Sequence, residues 1–164
     1  ITQNVTSLRG VQKRIVSLRR FHAHLQYPDD MVLADRIRYF CAMEQGGSLL
    51  AVKLGWYRAL RLAIDDFGRF YSLVSDAVRS ANRSADRPDL VAYVGDGTFV
   101  WLYPGEHSSE EAARWAEAIA SAVLRSMGGV LHAFSGGIES RSARVDFAVD
   151  AHNQIEALIG QFAE

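Results

Sequence analysis

Apolar residues recur over the first 28 positions at Leu8, Val11, Ile15, Leu18, His22 and Leu25, in steps of 3, 4, 3, 4 and 3. That spacing predicts a helix over residues 1–28 with a heptad seam whose one polar member is His22. Such a seam needs a partner helix, either on its own domain or on a second copy. Tyr27-Pro28-Asp29-Asp30 ends the segment, and its aspartates are suited to cap the next helix, predicted over Met31 to Glu44 and closed by Gln45-Gly46-Gly47. Leu49 to Leu54 reads as a buried strand. A long helical pattern runs from about Tyr57 to Ala81, with Leu60, Ile64, Phe67, Tyr71, Val74 and Val78 on one face.

Asn82 to Asp89 is polar, contains Pro88 and predicts a loop. Two short β-rich runs follow, Leu90 to Val94 and Phe99 to Tyr103, joined by Gly95-Asp96-Gly97-Thr98. An Asp-Gly step between such runs is a strong hairpin signal. A helix from Ser108 or Ser109 to about Met127, a strand over Val130 to Phe134 and a final helix over 145–162 complete the reading. The order β-α-β-β-α-β predicts an α+β palm or ferredoxin-like fold with a mostly antiparallel central sheet, preceded by helices.

Composition narrows the class. The chain has 164 residues, 49% of them apolar and 23% charged, which fits one folded domain behind an amino-terminal helix, divided here as 1–28 and 29–164. No run approaches the ~18 apolar residues of a membrane span. A single cysteine, Cys41, excludes an internal disulfide framework and points to a reducing, cytoplasmic setting. The chain opens at Ile1 and reads as a piece of a longer protein. Residues 1–28 hold five of the 18 bases (Arg9, Lys13, Arg14, Arg19, Arg20) and none of the 19 acids. Spread around a helix, those charges read as a solvated face, so no nucleic-acid partner is expected. The histidines are scattered, and Trp56, Trp101 and Trp115 sit on apolar faces.

The segment Leu49 to Gly105 resembles a GGDEF domain, the unit of diguanylate cyclases that joins two GTP molecules into cyclic di-GMP. The carrying residues are Val52-Lys53-Leu54-Gly55-Trp56-Tyr57-Arg58 at the first strand, Asp89-Leu90-Val91-Ala92-Tyr93-Val94 before the hairpin, and Gly95-Asp96-Gly97-Thr98-Phe99 in place of the signature. Val100 to Pro104 and the alanine-rich stretch Glu110 to Val123 follow in order. Leu33, Arg36 and Tyr39 stand where the opening helix motif has Leu, Arg and Phe, and Phe134 to Ile138 resembles the late strand. The resemblance covers about residues 30 to 160 and implies the nucleotidyl-cyclase form of the palm fold.

It also implies what is missing. The family holds two Mg²⁺ ions with a first-strand carboxylate and a hairpin acid, where this chain has Lys53 and then Gly97 and Thr98. The guanine-reading positions fall on Arg61 and Phe70, which lack the needed donor and acceptor pattern. The family's inhibitory Arg-x-x-Asp aligns with Asp86-Arg87-Pro88-Asp89, whereas a true Arg-x-x-Asp stands three residues earlier, at Arg83 and Asp86. Class III cyclases share the palm core and often carry Gly-Asp-Gly on this hairpin, with Asp96 then a metal ligand, yet they too need an acid where Lys53 and Gly55 stand.

The expectation is therefore a non-catalytic GGDEF-like regulatory domain that binds neither Mg²⁺ nor GTP productively. It would self-associate or bind a protein partner, in the cytoplasm and without membrane insertion. The alternatives are a cyclic di-GMP or GTP receptor without turnover, using Arg83 and Asp86, and a divergent active cyclase.

Overall fold

A computed structural model describes residues 21–22, 25, 27–84, 87–131 and 137–163. A short antiparallel pair, β1 (Phe21–His22) and β2 (Tyr27–Pro28), comes first. The helix expected over residues 1–28 therefore does not extend to its expected end. His22 lies in β1, and Leu25, the last seam member, is buried in the core, its carbonyl accepting from the Ser75 hydroxyl at 3.1 Å. Heptad spacing cannot distinguish a helix face from a chain that turns back at Leu25 to reach the same core. Leu8, Val11, Ile15 and Leu18 lie outside the described residues.

Asp29 begins α1 (Asp30–Ala42) by accepting at Oδ1 from the backbone N–H groups of Met31 and Val32, at 3.0 and 3.1 Å. Strand β3 (Gly47–Leu54) follows. The single long helix expected from Tyr57 is two, α2 (Tyr57–Ala63) and α3 (Phe67–Ser84). Ile64 is extended, and Asp66 restarts the helix by accepting from Arg69 N–H at 3.2 Å. This break rotates the buried face of α3 onto Phe70, Val74, Ala77, Val78 and Ala81 and leaves Phe67 half-exposed.

The expected hairpin is present as β4 (Leu90–Gly95) and β5 (Thr98–Pro104). Helix α4 (Ser109–Leu131), capped by the Ser108 hydroxyl accepting from Glu111 N–H at 3.1 Å, continues through Gly128 and Gly129. The strand expected over Val130 to Phe134 is thus displaced to β6 (Ile138–Arg144). This is an edge strand of mostly polar residues, which gave no apolar run to read. The final helix α5 (Ala151–Gly160) starts later than 145 because Gln154 holds the preceding turn, accepting from Asp146 N–H and donating to the carbonyls of Asp146 and Val149. A 3-10 turn, Gln161–Ala163, ends the described chain.

The sheet is antiparallel throughout, in the order β4-β5-β3-β6, as a β-α-β-β-α-β plan demands. Both faces are covered, so β3 is a nearly continuous apolar run. Leu50, Val52 and Leu54 join the core under α3 and α4, while Leu49 and Ala51 face α1 and α5. Phe99, Trp101 and Tyr103 of β5 continue the first layer, and Val100 and Leu102 the second. Trp56 and Trp101 are fully buried, and the Trp101 indole N–H donates to Asn82 Oδ1.

Candidate functional site at the β4–β5 hairpin

The hairpin turn is specified residue by residue. Gly95 pairs with Thr98, leaving Asp96 and Gly97 as a two-residue turn with φ of 49° and 73°, the positive values that the tight hairpin turn requires. A bulge between Tyr93 and Gly95 tilts the tip. Gly97 is fixed from three sides. Its carbonyl accepts from Leu54 N–H at 2.8 Å, its N–H donates to the Tyr93 hydroxyl at 3.1 Å, and a Cβ there would lie 2.7 Å from Tyr57 Cβ. The tip is thus bolted to the end of β3, and Gly55 N–H beside it donates to Gly137 O at 3.0 Å.

This brings Lys53 to the turn, opposite Thr98 on one side and Glu139 on the other. The Lys53 amine lies 3.8 Å from one Asp96 carboxylate oxygen, and the Arg58 guanidinium lies 3.8 Å from the other. Asp96 projects into solvent with both cations beside it, so the pairs contribute little stability. Thr98 and Phe99, the next residues of the signature stretch, are buried and serve packing.

Arg61 and Phe70 also meet, in a different setting. The Arg61 guanidinium stacks 3.6 Å over the Phe67 ring and sits 5.9 Å from the Phe70 and Tyr71 rings. Phe70 is wholly buried, edge-on to Tyr57 and Tyr71 at centroid distances of 5.1 and 5.0 Å. Tyr57 joins this cluster to the hairpin. Burial, and then a hydrogen bond with Tyr93, pushes the Tyr57 phenol far above the usual tyrosine value of 10.0.

Of the expected dinucleotide motif, the Arg83 side chain and the whole of Asp86 lie outside the described residues. Asp89, which ends the aligned four-residue stretch, is engaged by Arg36 of α1 through a two-pronged pair at 2.8 and 2.6 Å. Its partners are 53 positions apart, so no local pattern announces it. Arg58 is the other addition, legible only as the base that follows Trp56 and Tyr57. Among the described residues no group of three or more His, Cys, Asp or Glu side chains could hold a metal ion, and no helix is long and apolar enough to cross a membrane.

No family model matches the chain. No curated protein matches it either. Solved structures do. A diguanylate cyclase, SiaD from Pseudomonas aeruginosa, solved with its activator SiaC, superposes with a TM-score of 0.66 at 11% identity, covering 97% of this chain. This chain spans only 62% of the SiaD chain. The coiled coil and GGDEF domain of DgcB from Caulobacter crescentus, in complex with cyclic di-GMP, superposes with a TM-score of 0.60 at 13% identity, over 97% of this chain and 88% of that one. The GGDEF-containing LapD of Vibrio cholerae, also bound to cyclic di-GMP, gives 0.56 at 8% identity, over 84% of this chain and 32% of that one. The chain therefore has the palm-like nucleotidyl-cyclase fold seen in GGDEF domains.

Proposed function

We propose that this chain is a non-catalytic GGDEF-like regulatory domain of a bacterial cyclic di-GMP signalling protein, working as a dimerising or partner-binding module. The observation that carries the reading is Lys53. Its amine sits on β3 beside Asp96, in the strand that would have to offer a carboxylate to a divalent ion. The donor set at the turn fits no such pair of ions. Asp96 is flanked by Lys53 and Arg58, Gly97 offers only backbone, and Thr98 is buried. Phe70, buried among aromatic rings, and Arg61, stacked on Phe67, supply no guanine-reading pattern. Positioning and charge neutralisation make up nearly all of this catalysis, so their joint loss removes the rate.

Titration calorimetry with GTP, with and without Mg²⁺, and with cyclic di-GMP tests the reading, together with sedimentation across a concentration series. The scaffold reading expects no GTP heat and a self-association that Leu18→Glu weakens. Tight binding of cyclic di-GMP, lost in Arg83→Ala, would replace it with the receptor reading.

A further inference from the structure

At the end of the sheet opposite the hairpin turn, Gly47 of β3 pairs with Pro104 of β5, and Arg144 closes β6. A cleft of about 210 Å³ opens there between Gly46, Gly47, Glu106, Arg144, Val145 and Phe147, with His107 in its wall. Its charges are arranged for a guest. Arg144 donates through Nε to the His107 carbonyl at 3.0 Å, which fixes the guanidinium while its terminal nitrogens have no hydrogen bond or ion pair among the described residues. Glu106 runs its stem across Gly46, where a Cβ would lie 2.8 Å from Glu106 Cγ, and its carboxylate likewise pairs with nothing among the described residues. A cation and an anion thus line one cleft without neutralising each other.

The remaining wall is occupied or apolar. The His107 ring lies 4.5 Å from the Trp115 ring, with Nε2 3.2 Å from Pro104 O and Nδ1 3.5 Å from Glu111 Oε1, so both of its nitrogens already face partners. Val145 and the half-exposed Phe147 ring offer an apolar side. The volume is below the roughly 300 Å³ of a drug-sized pocket. A dinucleotide is too large, and its two like charges leave Glu106 unanswered.

We propose that this cleft binds a free apolar α-amino acid as its zwitterion. The carboxylate takes the Arg144 guanidinium, the ammonium takes Glu106, and the side chain lies on Val145 and Phe147. The site is separate from the hairpin and stands whether or not the domain is catalytic.

Calorimetry of the intact chain against the twenty L-amino acids, each up to about 10 mM, tests this. Binding is expected for an apolar member. Its N-acetyl and methyl ester forms should bind at least about tenfold more weakly, because each removes one charge-assisted contact. Glu106→Gln should weaken the free amino acid by a similar factor and bind the N-acetyl form no worse than the wild type does. Arg144→Gln should remove the preference for the free acid over the ester. Glutamine keeps the stem that crosses Gly46, and the Glu106 carboxylate has no partner among the described residues, so an unchanged melting temperature in Glu106→Gln separates lost binding from lost folding. No heat from any amino acid, acetate binding as tightly as the best of them, or affinity unchanged in Glu106→Gln would overturn the proposal.

Discussion

Arg36 grips both oxygens of Asp89, Nε to Oδ2 at 2.8 Å and Nη2 to Oδ1 at 2.6 Å. This fork ties α1 to the entrance of β4, and the hydrogen bond to Asp89 raises the already high pKa of Arg36 further. Arg36→Ala should lower stability by about 1 kcal/mol, the upper range for a partly exposed pair of good geometry. Arg36→Lys should recover only part of that, since an ammonium cannot make both bonds. Urea denaturation at low salt and at about 1 M salt checks this, the wild-type advantage shrinking as salt screens it.

Two glycines at the hairpin should respond differently to alanine. Gly97 has a positive φ and no room, its Cβ position being 2.7 Å from Tyr57 Cβ. Gly95 has a positive φ but open space around it. Gly95→Ala should cost about 1 kcal/mol from backbone strain alone. Gly97→Ala should cost about 3 kcal/mol, the strain plus the clash. Thermal denaturation of both variants measures the gap, and equal losses would mean that the tip moves freely from β3.

Leu25→Ala should destabilise by about 2–4 kcal/mol, as for any leucine removed from a closed core. A leucine on the exposed seam of a projecting helix would cost far less. Chemical denaturation of this one variant therefore tests whether the chain before Asp29 is part of the domain.

The hairpin, the N-cap of α1 and the double-faced β3 were legible in the sequence because each rests on neighbouring residues: Asp96-Gly97, Asp29 before Met31, and an apolar run from Leu49 to Leu54 that only Lys53 interrupts. The break between α2 and α3 was not, since Ile64 and Phe67 continue an apolar face across Asp65 and Asp66. Strand β6 was hidden by its polarity. At the candidate site, the nearness of Lys53 on β3 to Asp96 on the hairpin joins two stretches that order along the chain had already singled out. The Arg36–Asp89 fork and the Tyr57–Tyr93–Gly97 chain of hydrogen bonds could not be read from that order, because folding alone brings those residues together.

Tyr57 sets an alkaline limit. Its pKa is raised in the folded state above the usual 10.0, so above pH ~10 the unfolded chain releases a proton that the folded chain keeps. Stability from this group is present in full below pH ~10 and falls with rising pH by at most about 1.4 kcal/mol per unit. Tyr27, raised mainly by burial, adds in the same direction. Tyr57→Phe should flatten the loss in denaturation series from pH 9 to about 11, at the expense of the Tyr93 hydrogen bond at neutral pH.

The proposed loss of catalysis turns on Lys53, which places a base beside Asp96 at the hairpin. The direct measurement is to incubate the purified chain with GTP and Mg²⁺ or Mn²⁺ and separate the nucleotides by chromatography. GTP should remain unchanged, with neither the linear dinucleotide intermediate nor cyclic di-GMP formed at any protein concentration. Cyclic di-GMP accumulating with time, and abolished by Asp96→Ala, would contradict the proposed loss of catalysis.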